Sequence, residues 1–271
     1  MKKVISLILA ALMLTMVLTM ASCGKKTGLD AIKESGKLMV YTEAGFAPYE
    51  FYYNNEIVGV DIEIMKAVAD KIGVTLEVTD VAFDSICGAI QSGKADAGAA
   101  GMTINAERQE QVDFSIPYSS TEQYVVVKEG DDSIKTVDDL KGKRIGVQEG
   151  TTSDFLIEDL IADKTLEGTV LTPYKTPAQV AAVIGSKEDA LVTDKLTAQI
   201  IVENNKGLKA IALVKADGSP ASEVEEYGIA VTKGNAELLA IVNEVLEDML
   251  KSGKLDELIA KYSALATEVG A

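Results

Sequence analysis

The sequence has no histidine and no tryptophan, and among its 271 residues only two are cysteine and five proline. Without histidine it lacks the commonest general base, the usual transition-metal ligand and the one side chain that ordinarily titrates near neutrality. Without tryptophan, no site in it stacks a ligand on an indole. Positive charge is scarce too: 26 Lys plus Arg stand against 42 Asp plus Glu, a formal net charge of −16. Nucleic acid needs a basic face, so it is not an expected partner. These absences point away from hydrolase and metalloenzyme chemistry and towards binding. No metal, cofactor or catalytic residue is expected.

What is present is the composition of an ordinary globule, 47% hydrophobic and 25% charged. A long apolar run occurs at the start, from Val4 to Val17 after Lys2 and Lys3, and small residues lead from it to "LTMASC". The run is short for a membrane span. Ala21 and Ser22 before Cys23 resemble a bacterial lipobox, with Met20 where Leu is usual. The expectation is a lipoprotein signal peptide over 1–22 and a lipidated Cys23 opening a tether over 23–35. The alternative is a plain signal peptide cleaved nearby. A lipidated Cys23 leaves Cys87 with no partner for a disulfide, and its setting in "FDSICGAIQSG" predicts a small buried core residue.

Beyond the leader, short β-rich runs alternate with helical periodicity, which predicts an α/β fold. "KLMVYT", "TLEVTDV" and "ADAGAAGM" read as strands, and the helix after "VGVD" presents Ile62, Met65, Val68, Ala69 and Ile72 on one face. A second series begins near Glu122 with "EQYVVVKEG". Two such series predict two lobes, here 36–121 plus 225–271 and 122–224. Extended segments at 119–124 and 224–229 are expected to pair as crossings. Ligands of open α/β sheets bind beyond the strand carboxyl ends, so a cleft between the lobes is the expected site.

"EAGFAPYEF", "FDSICGAIQSGKADAGAAGMTINAERQEQVDFSIPY", "LKGKRIGVQEGTTSDF" and "EEYGIAVTKGNAELL" follow one another along the chain. Together they resemble the polar amino-acid family of solute-binding proteins, the extracytoplasmic receptors of ABC importers. The resemblance implies a two-lobed periplasmic-binding-protein type II fold with two crossover hinge segments. It also implies an L-amino acid as ligand, permease subunits as partners, a membrane attachment through Cys23 and a monomer. Basic amino acids or glutamine come first, with cystine as an outsider.

The resemblance implies roles for particular residues. Arg108, in "TINAER", would grip the ligand carboxylate with its planar fork of donors; the rival reading is a solvated charge beside Glu107 and Glu110. Gly101, Met102 and Thr103 would flank the same end, and Asn105 would cap the following helix. Asp194, ending "ALVTD", would take the ammonium or else cap the helix after it. Thr151 and Thr152, in a Gly-led turn that enters a helix and lacks the lysine of a Walker motif, would complete carboxylate binding from the opposite lobe. Phe46 and Phe83 would sandwich the ligand side chain or simply pack a core. Glu43 would meet a basic or amide tip, against the alternative of a solvated loop charge. Tyr49 and Gln123 are weaker candidates. The competing function is a cyclohexadienyl or arogenate dehydratase-like enzyme on the same scaffold, with Glu43 pressed into service as its acid. A sensory module is not expected, since no span, kinase or channel segment follows Ala271.

Overall fold

The computed structural model describes residues 28–271, so the expected leader and Cys23 lie outside the described residues. The first part of the chain supplies β1 (Lys37–Thr42), β2 (Gly45–Phe46), β3 (Glu50–Tyr53), β4 (Glu56–Val58), β5 (Thr75–Asp80), β6 (Ala97–Gly98) and β7 (Val112–Phe114). The crossing strand β8 (Ser119–Thr121) leads into β9 (Gln123–Lys128), β10 (Arg144–Gln148), β11 (Val170–Tyr174), β12 (Ala190–Asp194) and β13 (Leu208–Ala212). The chain returns through β14 (Glu225–Tyr227) to β15 (Ala230–Thr232). Two five-stranded sheets result, ordered β5-β1-β6-β15-β7 and β11-β10-β12-β9-β13. Between them β8 and β14 pair antiparallel, with Glu225 opposite Thr121 and Tyr227 opposite Ser119. This is a two-lobed type II periplasmic-binding-protein fold, each lobe centred on one mixed sheet.

Each lobe has an apolar core, and Ile200 of the second lobe joins that of the first. Leu38 and Val40 of β1 are fully buried against Ile64, Met65 and Val68 of the helix Val60–Ile72. In the second lobe Val125, Val127, Ile145, Val147 and Val192 form the corresponding apolar layer. Parallel strands covered on both faces read as near-continuous apolar runs, which is what "RIGVQ" and "ALVTD" are.

Three expectations need correction. The tether over 23–35 is partly a helix, Leu29–Ser35, because Leu29 and Ile32 bury one face and Gly36 closes it in the left-handed conformation. The strand in "ADAGAAGM" is only Ala97–Gly98, since the chain beyond it turns along the cleft. The helix Val60–Ile72 buries Asp61 and Ile64 where Ile62 was expected. Asp61 goes inside because it has partners there: its carboxylate accepts the Gly101 amide at 2.9 Å and the Tyr118 hydroxyl at 2.6 Å.

Candidate functional site

The topology brings polar residues to the facing edges of both sheets. Gln148 and Asp194 end the neighbouring strands β10 and β12, and Gln123 begins β9 directly opposite Asp194. From the other lobe come Glu43, just after β1, and the segment from Ala99 to Ile104 that follows β6. Between the two edges lies a narrow cleft. Phe46, Phe83, Gly101, Thr103 and Arg108 line it on one side, and Gln148, Thr151, Thr152 and Asp194 on the other.

Arg108 is held in place from several directions. Asn105 caps the helix Ala106–Gln111, its side-chain oxygen accepting the Arg108 amide at 2.8 Å. One guanidinium nitrogen donates to the Thr103 carbonyl at 2.9 Å and the other to the Gly150 carbonyl of the opposite lobe at 3.2 Å. The Phe83 ring centroid lies 5.0 Å from the guanidinium carbon, within range of a cation–π contact. Arg108 is only 7% exposed, so it is not a solvated helix charge. Burial pulls its pKa down, with partial compensation from surrounding groups. Among the described residues no carboxylate forms an ion pair with it. A buried cation without a counterion is a strong demand for an anion.

The opposite demand sits nearby. Asp194 occupies the position before the helix Lys195–Asn204, yet its side chain makes no capping hydrogen bond. Its carboxylate instead accepts from Gln123 Nε2 at 3.3 Å. Burial, reinforced by the charge of Glu225, pushes its pKa up to about 7, while Tyr227 and Arg108 pull the other way. Glu43 is 6% exposed and accepts from Gln148 Nε2 at 2.7 Å. Burial again raises its pKa to about 7 against that hydrogen bond, with Asp80 adding to the rise. Two carboxyls held this high are poised for cations.

Gly101 has φ of +54°, and a Cβ there would lie 2.7 Å from the Phe46 ring. The glycine is required both by backbone conformation and by the aromatic packed on it. Phe46 belongs to a cluster with Tyr49 and Tyr227, at centroid distances of 5.9 and 6.4 Å. Tyr49 itself does not line the space; its hydroxyl meets Ser119 Oγ at 2.8 Å beside the crossing. Met102 turns away as well, into an adjacent cavity that also contains Cys87 and Phe155. Cys87 is a free, buried thiol whose pKa burial raises.

Thr151 caps the helix Thr152–Ala162, and its hydroxyl donates to the Gln148 carbonyl at 2.7 Å. The Gly150 amide of that turn is taken by Asp154 at 3.0 Å. Thr103 and Thr152 both donate to Glu225, at 2.8 and 2.6 Å. Glu225 and Gln148 are thus central to the site, although neither was singled out from sequence. Two signals pointed to them: Gln148 is a polar end on a buried parallel strand, and Glu225 shares a strand face with the buried Tyr227.

A family model of bacterial extracellular solute-binding proteins, family 3, matches residues 38–264. The chain is 32% identical over 262 residues to the arginine-binding extracellular protein ArtP of Bacillus subtilis, covering 94% of this chain and 96% of that one. It is also 32% identical over 280 residues to the glutamine-binding protein GlnH of the same organism, covering 97% of each. Among solved structures, the amino acid ABC transporter substrate-binding protein AbpA of Streptococcus pneumoniae, bound to L-arginine, superposes with a TM-score of 0.80. It is 31% identical and covers 87% of this chain and 98% of its own.

Proposed function

The chain belongs to the bacterial extracellular solute-binding proteins of family 3, and from that premise we propose that its cleft binds a free L-amino acid, with arginine and lysine ahead of glutamine. The observation that carries this reading is the buried Arg108, which has no carboxylate ion-pair partner among the described residues and shares one small space with Asp194. A free amino acid brings a carboxylate and an ammonium on one carbon, matching that pair of demands. Glu43, tied to Gln148 at the cleft's edge, supplies a second negative group for a cationic side-chain tip. Arg108, Asp194, Glu43 and Glu225 carry more negative than positive charge, which favours a cationic ligand over a neutral one. Phe46 and Phe83 give apolar walls for the ligand's methylenes. Thr151, Thr152, Gly101 and Thr103 complete the polar rim.

The relatives named as arginine- and glutamine-binding proteins support the same class. They also support binding rather than catalysis, so the dehydratase reading is not adopted. We further place the lobes at 36–121 plus 225–271 and at 122–224, closing over the ligand by hinge motion at the paired crossing. The full account is a monomeric receptor, attached outside the membrane through lipid on Cys23, that hands its amino acid to an ABC permease. Mass spectrometry of the membrane-extracted protein tests the anchor: an unmodified Cys23, or a mature chain starting elsewhere, removes it. Calorimetric titration against the common L-amino acids tests the ligand class. Heat from arginine or lysine at micromolar protein is the expected result, and no heat from any amino acid overturns the reading.

A further inference from the structure

Glu225 lies on the returning crossing strand and is half-buried. Its carboxylate accepts three hydrogen bonds: from Thr103 Oγ at 2.8 Å, from Thr152 Oγ at 2.6 Å and from Gln123 Nε2 at 2.8 Å. Thr103 belongs to the segment after β6 in one lobe, whereas Thr152 opens a helix of the other. One carboxylate therefore ties both lobes to the hinge. The orientation of the Gln123 amide follows from its surroundings, because its oxygen accepts from Ser153 Oγ at 2.7 Å and its nitrogen must face the two carboxylates.

A threonine hydroxyl carries one proton and donates it to one acceptor at a time. Thr103 and Thr152, whose hydroxyls Glu225 holds, line the same cleft as Arg108. An incoming anion and Glu225 compete for the same protons. We propose that Glu225 is a positioning residue, an internal carboxylate that clasps Thr103 and Thr152 together across the cleft and yields them to the ligand's carboxylate on capture. Capture is then an exchange of one carboxylate for another across the same two hydroxyls, with Arg108 supplying the charge that favours the ligand. Once released, Glu225 remains beside Asp194 and shares the Gln123 amide with it, adding negative potential where the ligand's ammonium sits. The exchange step rests on the amino-acid reading of the cleft; the clasp itself does not.

The test is hydrogen–deuterium exchange of the full chain with no amino acid present, so a wrong ligand assignment leaves its outcome intact. Amides of 101–108 and 150–154 report closure, and those of β11 report the stability of the second lobe as a control. Glu225→Ala is expected to speed exchange at the two cleft segments by about tenfold, equivalent to about 1.4 kcal/mol of closure, with β11 unchanged. Glu225→Gln, which keeps the volume, is expected to lie between Glu225→Ala and the native chain. Thr152→Val is expected to reproduce the effect of Glu225→Ala and to add nothing to it in the double variant. Unchanged exchange at the cleft segments, equal acceleration everywhere including β11, or additive effects in the double variant would each overturn the clasp. So would failure of all three single variants to fold, since a clasp acts on closure and not on the lobes.

Discussion

The Gln148 amide of one lobe donates to the Glu43 carboxylate of the other across 2.7 Å, and also to the Lys175 carbonyl at 2.9 Å. The bond links the edges of the two sheets and holds Glu43 against desolvation that pushes its pKa to about 7. It also fixes which way that carboxylate faces.

Glu43→Gln should weaken arginine and lysine by roughly tenfold to a hundredfold, the range for one charge-assisted hydrogen bond of about 1.5–3 kcal/mol. Glutamine should lose much less. Parallel calorimetric titrations check this, and equal losses for charged and neutral ligands would remove Glu43 from selectivity.

Arg108→Lys keeps the charge but not the planar fork that donates to Thr103 and Gly150. A lysine ammonium cannot span both carbonyls and a ligand carboxylate at once. Binding should fall by at least about a hundredfold, and Arg108→Ala should cost about 3–5 kcal/mol, as for removal of one partner of a buried pair. Native-like affinity in Arg108→Lys would show that charge alone suffices.

Burial raises the carboxyls of Glu43, Asp61 and Asp194 to about 7 from ordinary values of 4.5, 3.8 and 3.8. Between the ordinary and the raised values the folded chain binds more protons than the unfolded one. The stability these groups contribute is therefore fully present at acid pH and is lost as pH rises through about 7. The melting temperature without ligand should fall from pH 5 to pH 8 on their account, and the replacement of all three by amides should flatten that slope. A cationic ligand favours the ionised forms of Glu43 and Asp194, so its affinity should rise with pH up to about 7, with proton release measurable in buffers of different ionisation enthalpy.

Gly101→Ala forces a side chain into a φ of +54° and against the Phe46 ring. The expected loss is about 1–3 kcal/mol of stability, together with weaker ligand binding as Phe46 is displaced. A thermal melt and a titration on the same sample check both, and an unchanged melt would mean that Phe46 moves aside freely.

The strands β1, β5 and β9 were legible as "KLMVYT", "TLEVTDV" and "EQYVVVKEG" because strands leave short runs rich in apolar and β-branched residues. Asp61 was not legible as an inward residue, because its partners Gly101 and Tyr118 lie 40 and 57 residues away. Glu225 makes its bond to Thr103 across 122 residues, so the strand face it shares with Tyr227 hinted at its burial but not at its partner. Periodicity predicts which face of an element is apolar. It carries no information about a polar residue whose burial is made affordable by a distant donor. Arg108 and Asp194 were read through the family resemblance, and what the structure adds is their burial, the missing carboxylate beside one and the missing cap on the other. Met102, expected beside the ligand, has its side chain in an adjacent cavity with Cys87 and Phe155.

The most direct measurement is a pair of titrations at pH 8, one with L-arginine and one with agmatine, which keeps the guanidinium and lacks the carboxylate. If Arg108 anchors an amino acid's carboxylate in this cleft, arginine binds and agmatine loses at least about a hundredfold, the scale of an unpaired buried charge. Equal affinity for the two, or binding of neither, would contradict the account.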